Sequence, residues 1–470
     1  MGADMGAGMI ADLRNEVPAL RLLTDPADRE SYRSDETAHF TAGLPLAVAL
    51  PGSTDEVSAI MRAATRHRVP VVPRGAGSGL SGGSAGVAGA LTVAFTGMNR
   101  ILEIDRANLV AVVQPGVINA DLKAAVAKEG LFYAPDPASY EFCSIGGNIG
   151  TNAGGLCCVK YGVTRDAVLG LEVVLVDGRV IRTGGRNVKD VAGYSLTHLF
   201  VGSQGTLGLV TEATLRLRPQ PPRPATMLAF FPSLEAAGEA VAQMTASGLE
   251  PCTLELMDRV TIAAVDDWHN LGLDRSAAAL LLVETDAPGA AAVDELARAE
   301  SACTDAGAAS VVRSESASEA DWLRQVRRLA YRAMERLGEA RMEDVGVPRS
   351  RIPQLLREIE RVAIAHDVHC GTFGHAGDGN LHPTFVWERG DEEAAARVQS
   401  ACEELYRSAI ALGGTVTGEH GIGAARRPFL VEQVGEDALD VMRTIKRALD
   451  PLNLLIPGKV VEIEATGAGR

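Results

Sequence analysis

The sequence predicts an α+β protein of two or three domains, and three observations support this. The chain has 470 residues, which is more than one hydrophobic core ordinarily organises. Its first part alternates helical and strand patterns, whereas its later part runs through several strands with helices between them. The stretch RPQPPRP, residues 218–224, separates the two parts, because neither a helix nor a central strand tolerates so many prolines.

The first part begins as an alternation of helix and strand. The segment STDEVSAIMRAATRHR places apolar residues at helical spacing, and Ser53 with Glu56 predicts a capping box. The runs VPVVP, ALTVAF and LVAVVQPG are typical of strands, and INADLKAAVAKEG predicts a helix that ends at Gly130. Asp177-Gly178 lies between two apolar runs and predicts a hairpin.

The part beyond the prolines has a different pattern. TMLAFF, CTLELM, AALLLVET and ASVVRS predict strands, and helical stretches such as AAAVDELARAESACTDAG lie between them. That order favours an antiparallel sheet with helices packed on one face. VHCGTFGHA and NLHPTFVWE predict a further pair of strands.

Composition excludes several classes of protein. The chain is 46% hydrophobic and 22% charged, which is typical of a globular protein. Its formal net charge is −15 and it has no long basic run, which argues against a nucleic-acid partner. Seven cysteines without a CxxC pair argue against a disulfide scaffold or a metal cluster, and favour a reducing cytoplasm. No apolar stretch is long enough to predict a membrane span, while peripheral membrane association stays open.

Three glycine-rich segments lie in the first part of the chain, at residues 73–84, 143–162 and 200–217. The first has the GxGxxG pattern at Gly77, Gly79 and Gly82, but a strand is predicted after it, which argues against a Rossmann site. One such segment alone is often only a flexible surface loop. Three together predict a groove where backbone approaches a large, flat, phosphate-bearing ligand.

Two later motifs contain three of the nine histidines. TFGHAGDGNLHP carries His375 and His382, and GEHGIG carries Glu419 and His420. A hairpin through the first motif would bring both imidazoles to one side, and two imidazoles with one carboxylate are a common open site for a divalent metal. Glu419 is the natural third ligand, which leaves His420 as a base. The alternative is that His375 and His382 make ordinary turn hydrogen bonds.

Six motifs occur in an order that resembles the FAD-linked 2-hydroxyacid dehydrogenases of the vanillyl-alcohol-oxidase type. They are PRGAGSG, the series PDPAS, CSIGGNIGTNAGG and KYG, then GSQGTLGLVTEATL, HAGDGNLHP, GEHGIG and LDPLNLLIPGK. This family includes D-lactate dehydrogenase, D-2-hydroxyglutarate dehydrogenase and the flavoprotein subunit of glycolate oxidase. The resemblance, over residues 40–462, implies an FAD-binding domain of two α/β subdomains and an α+β cap domain with an antiparallel sheet. We expect the FAD-binding domain at residues 1–222, the cap at 223–415, and a return to the FAD-binding domain at 416–470.

The resemblance also implies which residues bind FAD. The pyrophosphate would be cradled by Pro73, Arg74, Gly75, Ala76, Gly77, Ser78 and Gly79. The flavin and ribityl chain would be lined by Asp136, Pro137, Ser139, Ser144, Gly146, Gly147, Asn148, Gly150, Asn152 and Gly155. Because residues 78–80 offer no histidine for attachment, the FAD is expected to be noncovalent. Ile456 replaces the asparagine that usually precedes Pro-Gly-Lys in this family, but Lys459 is present and is expected at the flavin edge.

The same resemblance places a divalent metal, zinc or manganese, on His375, His382 and Glu419, and the catalytic base on His420. An arginine would bind the substrate carboxylate. Counting back from Asp344 identifies Arg327, whereas counting forward from a tryptophan arrives at a glutamine, so Arg324 stays as an alternative.

Met342 bears on the choice of substrate. It occupies the position where relatives that oxidise 2-hydroxyglutarate have a lysine for a second carboxylate. This favours a monocarboxylate such as D-lactate or glycolate.

The predicted function is therefore oxidation of a small D-2-hydroxyacid to the 2-oxoacid, by metal-assisted deprotonation of the hydroxyl and hydride transfer to flavin N5. Two alternatives stay open: a D-2-hydroxyglutarate dehydrogenase, and an electron-transfer subunit of a glycolate-oxidase-like complex. Within the same fold, alkyl-dihydroxyacetone-phosphate synthase is a further alternative, although it lacks the two histidine motifs in this form. The electron acceptor is unassigned among quinone, electron-transfer flavoprotein, cytochrome and oxygen, and a homodimer is compatible with the sequence.

Overall fold

The computed structural model describes residues 2–37, 40–314 and 316–463, without the side chains of residues 2–5 and 317. The chain forms two compact units, which interrupt each other along the sequence. The first unit comprises Met1–Gly154, Val163–Gln220 and Glu419–Arg470, and the second comprises Gly155–Gly162 and Pro221–Gly418. The short excursion at Gly155–Gly162 has no counterpart in the predicted segments. The ends of those segments at Met1 and residues 464–470 lie outside the described residues.

The helices and strands follow in chain order. Up to Gly154 they are α1 (Gly2–Glu16), β1 (Arg21–Leu23), α2 (Pro26–Glu30), β2 (Ala47–Leu50), α3 (Thr54–His67), β3 (Val71–Arg74), β4 (Leu91–Ala94), β5 (Ile101–Asp105), β6 (Val110–Val113), α4 (Asn119–Ala127), β7 (Leu131–Phe132) and α5 (Ile145–Thr151). The excursion holds α6 (Cys158–Tyr161). The first unit resumes with α7 (Thr164–Ala167), β8 (Val168–Val174), β9 (Val180–Gly184), α8 (Leu196–Phe200), β10 (Leu209–Arg216) and β11 (Arg218–Pro219).

The remaining elements lie beyond the prolines. They are β12 (Ala225–Phe231), α9 (Leu234–Ala246), β13 (Thr253–Asp258), α10 (Arg259–His269), β14 (Ala279–Thr285), α11 (Ala290–Asp305), β15 (Ser310–Arg313), α12 (Ala317–Arg328), α13 (Ala330–Glu335), β16 (Glu339–Met342), β17 (Val345–Gly346), α14 (Ile352–Ala365), β18 (His369–His375), β19 (Asn380–Trp387) and α15 (Glu392–Ala411). The first unit ends with α16 (Leu430–Val434) and α17 (Glu436–Leu449). Short 3₁₀ helices occur at Phe95–Gly97, Arg349–Arg351 and Arg427–Phe429.

The first unit contains two sheets, each with its own core. The first sheet has the order β1-β2-β4-β3, with β2, β4 and β3 parallel. Helix α3 begins at Ser53, whose side chain accepts from the N–H of Glu56. In a capping box the Glu56 side chain would accept from the N–H of Ser53. Here Glu56 Oε2 instead accepts from the N–H of Gly52, at 2.7 Å.

The second sheet of this unit has the order β5-β6-β10-β8-β9 and is antiparallel. Strands β8 and β9 pair through Val174 and Val180 around the turn at Asp177-Gly178, where Gly178 has a φ of +85°. The hairpin prediction is therefore confirmed. Two separate apolar cores in one unit correspond to the two α/β subdomains that the resemblance implies.

The end of the chain is part of the first core. Leu455 forms a parallel bridge with Val71 of β3, and the N–H of Val71 donates to Leu454 O at 2.8 Å. Lys446 is 2% exposed and donates to the carbonyls of Thr206 and Leu455. The segment after Gly418 thus returns to the strand that precedes the first glycine-rich loop.

The second unit is built on one antiparallel sheet with the order β15-β12-β14-β13-β18-β19-β16, and β17 also pairs with β19. All residues of β13, β14 and β19 are buried, which is unusual for a sheet covered on one face. Helices α10, α12 and α13 share one core with the sheet, whereas α9 and α11 contact β12 and β14 but contribute nothing to that core. Helices therefore cover both faces, in contrast to the expectation of one.

Among residues 2–37, 40–314 and 316–463, no helix combines the length and apolar character that crossing a bilayer requires.

Candidate active site

The first glycine-rich segment is the loop that leaves β3 at Arg74 and reaches β4 without an intervening helix. Gly77 has a φ of +82°, and a Cβ there would lie 2.2 Å from Arg74 Nη2, so a larger residue would be strained and would collide. Within the described residues, the backbone N–H groups of Ala76 to Leu80 donate to no protein acceptor. Successive free N–H groups among small residues are the arrangement that binds phosphate oxygens.

Two buried cations lie beside this loop. Arg74 Nη1 donates to Ser84 O at 3.4 Å, and Lys459 Nζ donates to the carbonyls of Gly83 and Ala85. Burial lowers the pKa of Arg74 and lowers that of Lys459 to about 8, while the carboxylate of Asp35 opposes both shifts. Buried positive charge is unfavourable unless an anion accompanies it, so these side chains fit a bound pyrophosphate.

The second glycine-rich segment packs closely against the first loop. Ser144 caps α5 by accepting from Gly147 N, and a Cβ on Gly75 would lie 2.3 Å from Ser144 Oγ. A Cβ on Gly146 would lie 2.6 Å from Pro115 Cβ. The glycines of both segments are therefore required by the close approach of backbone to backbone.

Two predicted flavin contacts in this segment have structural partners. Asn148 is buried, accepts from Asn119 Nδ2 at 3.0 Å and donates to Cys143 Sγ at 3.2 Å. Asn152 ends α5 in the left-handed region, and its Oδ1 accepts from Arg165 N at 2.8 Å. Their side chains hold α5 in place, and a contact of either with the flavin stays a prediction.

The other predicted flavin contacts are distributed around α5. Asp136 is buried in the turn that approaches the helix, and the carbonyls of Pro137 and Ser139 accept backbone bonds that close this turn. Gly150 O accepts from Gln204 N at 2.8 Å, which ties α5 to the third glycine-rich segment. Gly155 lies in the excursion, in the second unit.

The motif GEHGIG joins these loops within the first unit. Gly423 N donates to Gln204 Oε1 at 2.9 Å, and Ala424 N donates to Ser81 O at 2.9 Å. A Cβ on Gly421, where φ is +85°, would lie 2.6 Å from Gln204 Nε2. The motif is therefore fixed against the first and third glycine-rich segments.

Glu419 and His420 lie at the start of this motif. A Cβ on Gly154 would lie 2.6 Å from Glu419 Oε2, so the second glycine-rich segment gives space to this carboxylate. His420 Nε2 lies 3.9 Å from Glu419 Oε1. The first unit thus places a predicted metal ligand and the predicted base beside the glycine-rich loops.

The second unit brings His375 and His382 together. They lie on β18 and β19, where His375 is paired with Asn380. His382 is two residues after Asn380, so its side chain points to the same face of the sheet as that of His375. The ring centroids are 5.1 Å apart and the rings are perpendicular. His375 is 4% exposed and His382 is 3% exposed, so the hairpin turns both imidazoles into the protein rather than towards solvent.

Behind His375 lies a charged pair that connects it to the predicted substrate arginine. His375 Nδ1 is 2.8 Å from Glu255 Oε1, and Arg327 Nε is 2.7 Å from Glu255 Oε2 in an ion pair. The guanidinium of Arg327 stacks 4.8 Å from the centroid of the Phe373 ring. Glu255 and Arg327 are both buried, so the three charged or polar groups form one interior cluster.

His382 also has a carboxylate behind it. Asp344 Oδ1 lies 3.7 Å from His382 Nδ1, and Asp344 Oδ2 accepts from Thr417 Oγ1 at 2.6 Å. Asp344 is fully buried. Each histidine therefore has an acidic group near Nδ1, an arrangement that is typical of metal-binding histidines.

The last residues of the second unit before Glu419 contact β17 and the start of β19. Thr415 pairs with Gly346 of β17, and a Cβ on Gly418 would lie 2.3 Å from Asn380 Cγ. Asn380 is the residue paired with His375. Gly418, the last residue of the second unit, thus lies beside the hairpin that carries the histidine pair.

The alternative arginine is occupied elsewhere. Arg324 makes two bonds through Nε and one through Nη2 to the buried carboxylate of Glu284. Arg327, one helical turn later, is the arginine of α12 that joins the histidine cluster.

Glu255 was missed by the sequence analysis. It is a charged residue inside the strand pattern CTLELM, and a carboxylate in a buried strand normally has a specific partner. The sequence therefore indicated that Glu255 has a partner. It did not identify the partners, because they lie on β18 and α12, far along the chain.

Known protein families match most of the chain. Residues 220–460 match the family described as FAD linked oxidases, C-terminal domain, and residues 45–184 match the FAD binding domain family. The chain belongs to the FAD-linked oxidase family. It is accordingly an FAD-linked oxidoreductase.

Two relatives and one solved structure illustrate the similarity. The glycolate oxidase subunit GlcD of Bacillus subtilis (strain 168) is 46% identical over 440 residues, which cover 93% of each chain. A D-lactate dehydrogenase of Archaeoglobus fulgidus is 36% identical over 441 residues, which cover 92% of this chain and 96% of that one. The structure of p-cresol methylhydroxylase with substrate bound has a TM-score of 0.81 at 16% identity, and covers 97% and 96% of the two chains. This last likeness shows the fold, which is of the vanillyl-alcohol-oxidase type.

The residues of the site fit the groups that the family implies. The N–H groups of Ala76 to Leu80, which donate to no acceptor among the described residues, suit the pyrophosphate of FAD together with the buried Arg74 and Lys459. A contact of Lys459 with the flavin edge stays a prediction. His375 and His382, each backed by a carboxylate, are a donor set that suits a divalent transition metal.

Proposed function

We propose that this protein oxidises a small 2-hydroxymonocarboxylate, of the glycolate or D-lactate type, to the corresponding 2-oxoacid. The observation that carries the proposal is the interior cluster of the second unit, where an arginine and two histidines each lie next to a buried carboxylate. The names of the two relatives, a glycolate oxidase subunit and a D-lactate dehydrogenase, support the same class of substrate.

Arg327 is the residue that binds the substrate carboxylate. Its Nε faces Glu255 and its plane stacks on Phe373, so the two terminal nitrogens are the ones available for a bidentate bond. The positive charge is already balanced by Glu255, which allows Arg327 to stay in the interior before substrate arrives.

His375, His382 and Glu419 would hold a divalent metal ion, zinc or manganese. When bound, such an ion supplies a Lewis acid that lowers the pKa of a substrate hydroxyl. His420 accepts the hydroxyl proton as the general base. The hydrogen at the substrate Cα leaves as hydride as the C=O bond forms, and FAD, when bound, supplies the acceptor at flavin N5 for this electron pair.

Selectivity for a monocarboxylate follows from the surrounding cations. Arg324 is bound to Glu284, and Arg332 is exposed and pairs with Glu335. Met342 is part of the apolar surroundings of the α10, α12 and α13 core. A second substrate carboxylate would have to be desolvated without a dedicated cation, which is unfavourable.

A flavin reduced in this way would need an electron acceptor other than this chain. The sequence has no CxxC pair or haem-attachment motif, and the candidates are a quinone, an electron-transfer flavoprotein or a cytochrome. The name "subunit" of the Bacillus relative favours a complex as one route.

Anaerobic mixing of the purified flavoprotein with a panel of D- and L-2-hydroxyacids tests the proposal. Glycolate or D-lactate should bleach the oxidised flavin stoichiometrically and yield the 2-oxoacid. If no hydroxyacid of the panel bleaches the flavin, the chain is an electron carrier rather than the dehydrogenase proposed.

A further inference from the structure

Glu255 stands out among the buried carboxylates because both of its oxygens contact groups of the candidate site. It is 1% exposed in the middle of β13. Oε1 is 2.8 Å from His375 Nδ1, and Oε2 is 2.7 Å from Arg327 Nε. One side chain therefore touches a candidate metal ligand and the candidate substrate arginine at the same time.

The contact with His375 determines which ring nitrogen is available. A carboxylate only accepts hydrogen bonds, so the bond to Glu255 places the imidazole proton on Nδ1. The lone pair is then on Nε2, the nitrogen that can bind a metal, and the ring is held in one orientation. Removing a carboxylate that hydrogen-bonds a metal-binding imidazole commonly lowers metal affinity about 10- to 100-fold.

The contact with Arg327 determines which edge of the guanidinium is available. Glu255 occupies the Nε side, and the Phe373 ring supports the plane of the group. Since a carboxylate prefers two parallel N–H bonds, the remaining edge with both terminal nitrogens is suited to the substrate. Without Glu255 the guanidinium would lose the contact that sets its rotation.

We propose that Glu255 is a positioning residue that orients the metal-binding imidazole of His375 and the carboxylate-binding edge of Arg327 together. This inference rests on the proposed function and adds to it one residue that couples metal binding to substrate binding. Glu255 touches neither the substrate nor the metal, and acts through the two side chains that do.

A purely structural role is the competing explanation, and the chain offers a matched control for it. Glu284 is a buried carboxylate on β14, the strand next to β13, and it pairs with Arg324 of the same helix that carries Arg327. Its other hydrogen-bond partner is Thr226 rather than a histidine. Glu284→Gln therefore disrupts an equivalent buried ion pair without touching the candidate site.

The experiment compares E255Q and E284Q as FAD-loaded full-length proteins. Zinc and manganese affinity are measured by equilibrium dialysis, KM and kcat with glycolate and D-lactate, and Tm by thermal unfolding. E255Q should bind metal about tenfold more weakly and raise KM several-fold, because glutamine presents an N–H to one of its two donors. E284Q should lower Tm alone. R327Q should raise KM while retaining metal, which separates the two effects of Glu255.

The outcomes distinguish a failure of this inference from a failure of the proposed function. If E255Q lowers Tm as E284Q does but leaves metal affinity and KM at the wild-type values, Glu255 is structural and the inference is wrong. If wild-type protein binds neither metal and no hydroxyacid reduces its flavin, both the proposed function and this inference are wrong. Should E255Q fail to fold, E255D keeps the charge but is one methylene too short to contact both partners, and the same readouts apply.

Discussion

The two units present their candidate binding groups in opposite ways. In the first unit, the glycine-rich loops pack closely against neighbouring residues, and within the part of the chain that the structure describes the N–H groups of Ala76 to Leu80 donate to no protein acceptor. In the second unit, the interior cluster consists of long polar side chains, with His375 and Arg327 joined through Glu255. A binding site formed by backbone groups is disrupted when a glycine is replaced by a larger residue. A binding site formed by side chains is disrupted when one of those side chains is truncated.

The two units should also tolerate different amino-acid substitutions. The first unit needs small residues because a Cβ at Gly75 or Gly77 would enter space already occupied by Ser144 or Arg74. The second unit needs specific charges because each buried carboxylate has to be compensated by its partner. Substitutions in the glycine-rich loops of the first unit should change cofactor content, whereas substitutions in the interior cluster of the second unit should change metal content and kinetics.

The largest effect is expected from Gly77→Asp. The new side chain is strained at a φ of +82°, would collide with Arg74 and would place a carboxylate where we propose that the pyrophosphate of FAD binds. We expect protein that is folded but essentially free of FAD, measured as absorbance of flavin per chain. Gly89→Asp is the control, because Gly89 has a φ of +76° but nothing lies within 4 Å of its Cβ. Normal FAD content in both variants would mean that the loop does not bind the pyrophosphate.

Complete release of FAD is expected when the protein is denatured. No histidine occurs at residues 78–80 of the first glycine-rich loop, which is the reason to expect a noncovalent FAD. Acid precipitation followed by analysis of the supernatant checks this, with an intact FAD as the expected product. Flavin fluorescence that migrates with the denatured chain on a gel would contradict it.

Two histidine variants should separate the roles within the motifs. His420→Ala should lower kcat at least roughly 10²-fold because a general base is lost, while bound metal is retained. His375→Ala should lower metal content together with activity. The control is His366→Ala, because His366 pairs with Glu404 outside the cluster. Equal metal content in all three variants would remove His375 from the ligand set.

The smallest effect concerns substrate size. Because Arg324 is held by Glu284 and Met342 lies in apolar surroundings, kcat/KM should be higher for D-lactate than for D-2-hydroxyglutarate. A difference of about tenfold corresponds to roughly 1.4 kcal/mol, the scale of one imperfectly compensated group. Steady-state kinetics with one artificial acceptor measures the ratio. A preference for the dicarboxylate would show that another cation reaches the substrate.

The sequence predicted those parts of the fold that depend on local pattern. The hairpin at Asp177-Gly178 and the strands around His375 and His382 follow from turn chemistry and alternating apolar residues. It did not predict that helices cover both faces of the large sheet. The reason is that β13 and β14 are apolar throughout, a pattern that records burial without identifying what covers each face.

The candidate site was predictable only as far as its motifs extend. His375, His382 and the GEHGIG motif are recognisable from spacing and composition, and Arg327 needed a count from Asp344. Glu255 could not be assigned from the sequence, because its partners His375 and Arg327 lie 120 and 72 positions later. The pairing of β13 with β18 brings His375 to Glu255, and the packing of α12 brings Arg327 to it. The structural roles of Asn148 and Asn152 are likewise set by residues from other parts of the chain, Asn119 of α4 and Arg165 of α7.

The central claim is that the interior cluster of the second unit is needed for substrate oxidation while the glycine-rich loops of the first unit hold the cofactor, and anaerobic flavin reduction of a double variant tests it most directly. His375→Ala with His382→Ala removes atoms from the second unit alone. We predict that this variant keeps a full complement of FAD, and that its flavin stays oxidised with D-lactate or glycolate while the wild-type flavin bleaches completely. Bleaching at the wild-type rate would contradict the account, because the hydroxyacid would then be oxidised without the histidine pair.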